Sequence, residues 1–127
     1  MKARPVTSNN IPKSSLPFSP AFAAGQFIFV SGQASVNESG DIVSGTFDNE
    51  MDRSIHNVAK ILAHVGLTLR DVVQCRCYLA ADSDLTEYNR LYVKYFESPF
   101  PARTTLVNCL GSRIKFEIDV VAYRGEE

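Results

Sequence analysis

The chain has 127 residues, 45% of them hydrophobic and 21% charged, a balance that fits one folded globular domain and excludes disordered, collagen-like and membrane-spanning classes. Its 13 basic and 14 acidic residues leave a formal net charge of -1, with no run of Lys and Arg able to neutralise a line of phosphates, so electrostatics gives nucleic acid no support as a partner. Three cysteines, an odd number, make no disulfide framework, and Cys75 and Cys77 stand too close along one segment to bridge, so a reducing, cytoplasmic setting is expected.

The opening "MKARPVTSNN" is polar, with no apolar core after it. The longest apolar run, "AFAAGQFIFV", is interrupted by Gly25 and Gln26 and is far short of a membrane span, so neither export nor insertion is expected. From Ala21 to Gly32 the pattern predicts two short strands joined at Gly25 and Gln26, the second rich in β-favouring Phe27, Ile28, Phe29 and Val30. "NESGD" (Asn37 to Asp41) is a dense turn cluster, and the small polar residues Ser44, Gly45 and Thr46 are of the kind that precede a helix.

Met51, Ile55, Val58, Ile61, Leu62 and Val65 recur at spacings of three and four, which predicts a helix from about Phe47 to Val65, ended by Gly66 and covering a sheet. "DVVQCRCYLA" alternates instead, with Val73, Cys75, Cys77 and Leu79 on one face and Gln74, Arg76 and Tyr78 on the other. Asp84 three residues before Glu87 resembles a capping box. Leu85, Tyr88, Leu91, Tyr92, Tyr95 and Phe96 then form a second helical stripe, ended by Pro99. Two strands follow, "ARTTLVNCL" and "IKFEIDVVAY", and the Gly111-Ser112 connection between them predicts an antiparallel hairpin. With no repeat or linker, residues 1–127 read as a single α+β domain, two helices on one face of a mixed or antiparallel sheet. The opposite face, with Gln74, Arg76, Tyr78, Lys115, Glu117, Asp119, Val121 and Tyr123, suits a subunit interface as well as solvent.

In the last strand Ile114, Phe116, Ile118, Val120 and Ala122 share the apolar face, which puts Glu117 on the other. A tight hairpin would bring Arg103 within a few residues of Glu117. Two readings follow. A guanidinium fixed on a strand can clamp a small carboxylic acid through two parallel hydrogen bonds while a nearby Glu moves protons; or the two residues are a cross-strand ion pair. Cys75 and Cys77 read as packed thiols rather than metal ligands, and His56 and His64, eight apart, as surface or partly buried histidines. No zinc signature, P-loop, dinucleotide fingerprint or serine elbow appears.

Taken in order, "LPFSPAFAAGQFIFVSGQ", "HNVAKILAHVGLTLRDVV", "LTEYNRLYVKYF", "FPARTT" and "FEIDVVAY" resemble the segments of the RidA family, also called YjgF or L-PSP, from about Leu16 to Tyr123. The resemblance implies a chorismate-mutase-like fold assembled as a homotrimer with clefts between subunits. It also implies hydrolysis of reactive enamines and imines of the 2-aminoacrylate type to 2-keto acids and ammonia, without metal or organic cofactor. On that resemblance Arg103 binds the substrate carboxylate and Glu117 positions or activates water, while Phe18, Ser31, Gly32, Asn89 and Thr105 line the cleft. Three places depart from the family pattern: Phe18 stands where tyrosine is usual, Thr105 where cysteine is frequent, and Leu110-Gly111 where "LP" is usual, with a shorter loop before the last strand. Retention of Arg103 points to the deaminase-competent branch. Other activities attached to the resemblance are a ribonuclease or translation inhibitor, which the charge balance opposes, and a non-catalytic binder of small carboxylates.

Overall fold

The computed structural model describes residues 2–7, 11 and 14–125; part of the polar opening segment lies outside the described residues. The first apolar stripe forms helix α1, Phe47–His64, in which Met51, Ile55, Val58, Ile61 and Leu62 are all buried. Removing each such side chain from water contributes about 2 kcal/mol, which holds the helix on the sheet. Thr46 caps its start by accepting the Asn49 N–H, and Gly66, at φ 80, turns the chain away after Val65.

Six strands form one mixed sheet: β1 (Arg4–Val6), β2 (Ala21–Ala24), β3 (Phe27–Gln33), β4 (Val72–Leu79), β5 (Ala102–Val107) and β6 (Phe116–Tyr123). Their spatial order is β1-β2-β3-β6-β4-β5, and every pairing is antiparallel except β4 with β5. Helix α2, Leu85–Tyr92, links the two parallel strands and lies with α1 on one face. The core is shared by α1, α2 and the inward residues of the sheet, including Cys75, Cys77 and the Ile118 to Ala122 face of β6. The α+β reading with two helices on one face therefore holds. Among the described residues, no helix is long and apolar enough to cross a membrane.

Several sequence expectations are corrected. β5 and β6 are not a hairpin, because β4 lies between them and pairs with both. The connection runs from Asn108 to Lys115, with left-handed backbone at Asn108 (φ 61) and Gly111 (φ 72), and is too long for the tight turn that adjacent antiparallel strands would use. The β4–α2–β5 unit instead closes as a parallel crossover, the arrangement that a helix between two strands favours. Val73 is exposed and Val72 buried, since the register between β4 and β6 shifts at this point and reverses the alternation.

Asp84 makes no side-chain cap at α2; the capping box lies at Thr68 and Asp71, where the Thr68 hydroxyl accepts from Arg70 N and the Asp71 carboxylate from Thr68 N. Nor does Pro99 end α2, which stops at Tyr92, although Tyr95 and Phe96 still pack on the core. Lys115 does not join the open sheet face: its ammonium reaches the Gly45 carbonyl and buried Glu50 at the start of α1. Strand β1 was not foreseen in the polar opening segment.

Candidate functional site

Arg103 leaves edge strand β5 on the helix side, at the register position of buried Cys75. Its guanidinium lies 4.9 Å from the ring centre of Tyr88 and 4.7 Å from that of Tyr92, two α2 residues one turn apart. Cation–π attraction on both rings orients the fork at little cost in side-chain freedom. Arg103 remains exposed, and no carboxylate pairs with it among the described residues, so its donors are open to a ligand. Thr105, two residues on, shares a 2.7 Å hydrogen bond with the Tyr88 hydroxyl, and Asn89 is exposed on α2 beside Tyr88. Burial holds the Tyr88 phenol well above its ordinary range, so it stays neutral as it braces Thr105.

Glu117 lies on the other face of the sheet. Its Cα partner in β4 is Tyr78, of opposite parity to Cys75 and Cys77, and the carboxylate rests over Gly32 of β3. Any Cβ at Gly32 would collide with Glu117 Oε2, so this glycine supplies the space that the carboxylate fills. The register between β3 and β6 slips by one residue at Ser31 and Gly32, a bulge that aims the strand at Glu117. Ser31 donates its hydroxyl to Ser19 O at 2.6 Å and its N–H to Pro20 O at 2.9 Å, tying the Phe18–Pro20 turn to the bulge. The result is an open cleft of about 650 Å³ lined by Phe18, Ser31, Gly32, Arg76, Glu117 and Asp119 among others. Partial burial, with the Asp119 charge second, raises the Glu117 carboxyl above its ordinary range.

The seven residues thus fall into two groups, Arg103, Thr105 and Asn89 on the helix side and Phe18, Ser31, Gly32 and Glu117 on the open side. The expected closeness of Arg103 and Glu117 does not occur, and the cross-strand ion pair is excluded with it. The two strands are separated by β4, two strand spacings or about 10 Å, and the side chains leave opposite faces. Within one chain, no small molecule can touch both.

Four further residues shape these surroundings. Tyr88 and Tyr92 read in the sequence as an apolar stripe, and their spacing of four on the helix directly before the arginine's strand is the signal that could have marked them. Parity puts Arg76 and Asp119 on the open face, and the structure pairs them at 2.8 Å, a contact that alternation alone does not reveal. Cys75 and Cys77 are fully buried, and burial pushes their thiols up to about 11 and about 12. They are unreactive packed side chains at neutral pH. His56 and His64 are exposed. Among the described residues there is no group of three or more His, Cys, Asp or Glu placed to hold a metal ion.

Comparison with known proteins places these features in a wider set. The family model described as "Endoribonuclease L-PSP" matches residues 8–124. A RutC family protein of Pyrococcus abyssi is 35% identical over 121 residues, covering 94% of this chain and 95% of that protein. The Homo sapiens 2-iminobutanoate/2-iminopropanoate deaminase is 32% identical over 124 residues, covering 96% of this chain and 90% of its own. The crystal structure of yeast Mmf1 superimposes with a TM-score of 0.88 at 28% identity, over 98% of this chain and 100% of that one.

Proposed function

The chain belongs to the endoribonuclease L-PSP family, also called RidA, and from that premise we propose that it hydrolyses reactive enamine and imine carboxylates to 2-keto acids and ammonia. The observation that carries this reading is the Arg103 fork, held between two tyrosine rings on an edge strand with its donors unclaimed by any carboxylate among the described residues. Such a fork binds a substrate carboxylate through two charge-assisted hydrogen bonds and fixes the adjacent C=N group in place. The names of relatives as imine deaminases at similar identity support the same class.

Glu117 then works on the water. An enamine first tautomerises, gaining a proton on carbon and losing one from nitrogen, to become the imine, whose carbon is already electrophilic. Glu117 takes one proton from water as the oxygen bonds to that carbon and delivers it to nitrogen, giving the carbinolamine; it then takes the hydroxyl proton as the carbonyl forms and passes it to nitrogen as the C–N bond breaks, leaving the ketone and ammonia. A carboxyl held above its ordinary range suits both directions of this transfer. Gly32 keeps Glu117 in position, while Phe18, Thr105 and Asn89 shape the walls. No cofactor takes part in this sequence.

Because the two groups leave opposite faces, the reading requires that Glu117 of one copy meet Arg103 of another. A homotrimer of the 127-residue unit, with a cleft at each junction, satisfies this. The open face carries exposed Phe22, Phe29 and Leu106 together with partly exposed Val121, an apolar surface that a second copy would cover. Unbridged, buried Cys75 and Cys77 fit a cytoplasmic protein.

The test is an added-enzyme assay. With a serine or threonine dehydratase generating the imine, the protein should speed keto-acid release, and Arg103→Ala should abolish the gain. Equal rates with wild type and Arg103→Ala would reject the proposal. Binding of keto acids without turnover would leave a carboxylate binder, and RNA cleavage that survives rigorous purification would favour the ribonuclease.

A further inference from the structure

Three groups on the open face of β4 and β6 have no part in the reaction as drawn: Arg76, Tyr78 and Asp119. Asp119 follows Glu117 by two residues, so both side chains leave the same face of β6. Arg76 Nε donates to Asp119 Oδ1 at 2.8 Å and the Tyr78 hydroxyl donates to Asp119 Oδ2 at 2.7 Å. Tyr78 is directly across from Glu117 in the register, yet its hydroxyl goes diagonally to Asp119. Asp119 therefore engages the Arg76 cation and the Tyr78 hydroxyl that share this face with Glu117, and adds a negative charge of its own.

We propose that Asp119 is a positioning residue that, by holding Arg76 and Tyr78, governs the pH at which Glu117 exchanges its proton. The inference rests on the deaminase reading for its catalytic meaning but not for its geometry. Within one chain, the titratable groups that line its cleft or stand across from it are those of this cluster, and in the proposed trimer Arg103 of a second copy also faces it. The cleft that Glu117 lines is also lined by Ser31 and Gly32 of β3, by Phe18 and Ser19 before β2 and by Arg76 of β4, while Tyr78 is its register partner. Lys115, two residues before it, is turned to Glu50 and Gly45. The Asp119 charge acts on Glu117 in the expected direction, second only to burial, and Tyr78 in turn feels both carboxylates.

The sign of each change is fixed. Asp119→Asn removes a like charge and, having one oxygen instead of two, frees a donor that can turn to Glu117, so Glu117 should ionise at lower pH. Arg76→Gln removes the opposing positive charge while keeping the Asp119 side chain, so Glu117 should ionise at higher pH. Opposite shifts from two changes to one ion pair are not what a loosened fold would give.

The experiment follows the Glu117 side-chain carboxyl by carbon-13 NMR across a pH titration of the full chain, in wild type, Asp119→Asn and Arg76→Gln. The acid limb of kcat/KM is measured beside it. The expected result is a midpoint moved down in Asp119→Asn and up in Arg76→Gln, with kcat/KM on the acid side rising roughly threefold in the first and falling roughly threefold in the second. A Glu117 midpoint that stays put in both variants, or moves the same way in both, would overturn the proposal. If wild type shows no turnover, the deaminase reading fails, and the NMR titration still decides the inference.

Discussion

Gly32 lacks a side chain at the position where Glu117 places its carboxylate, and that one exchange of space carries a measurable consequence. Gly32 does not adopt a left-handed backbone, so Gly32→Ala should fold, with the only collision at the far end of a flexible side chain. The carboxylate would have to move instead. The expected outcome is a thermal midpoint within a few degrees of wild type and a loss of deaminase activity of roughly a hundredfold, seen in the coupled assay. Single residues of this kind were partly legible in the sequence. Arg103 and Glu117 stood out as charges on apolar strands, and parity placed Glu117 correctly on the open face. The tyrosines that orient Arg103 did not stand out, because a ring that packs on a core and a ring that holds a cation occupy the same helical positions.

Elements are joined by groups that spacing does not reveal. Glu50, buried in the first turn of α1, accepts the N–H of Gly45 at 3.1 Å and of Lys115 at 2.9 Å, with the Lys115 ammonium at 3.4 Å. One carboxylate thus ties the start of α1 to the entry of β6, two residues before Glu117. Glu50→Ala would leave buried donors without partners and should cost about 3 kcal/mol, or roughly 10 °C in the melting midpoint. An unchanged melt would show that water replaces the carboxylate. Both helices and most strands were legible because amphipathic period and β-branched content are local properties. The pairing of β5 was not, since strand order depends on the crossover through α2 and on the long connection to β6, and a hairpin and a crossover share the same local alternation. The bulges at Val73 and at Ser31–Gly32 were hidden for the same reason: each adds one residue against a partner strand that the local pattern does not contain.

At the scale of the whole molecule, the sheet separates the proposed clamp from the proposed acid–base group. A chain acting alone would have half of the site on each face. The exposed apolar residues beside Glu117 give the proposed trimer a surface for joining copies, and in such a ring every Arg103 would meet a Glu117. Subunit mixing tests this most directly. Arg103→Ala and Glu117→Gln trimers, each inactive, are dissociated together and reassembled in equal amounts, and imine hydrolysis is measured. Shared sites predict recovery of about a quarter of wild-type activity, the chance that an intact Arg103 faces an intact Glu117 across a junction. A mixture that stays inactive, although the subunits have demonstrably exchanged, would contradict a site built between chains.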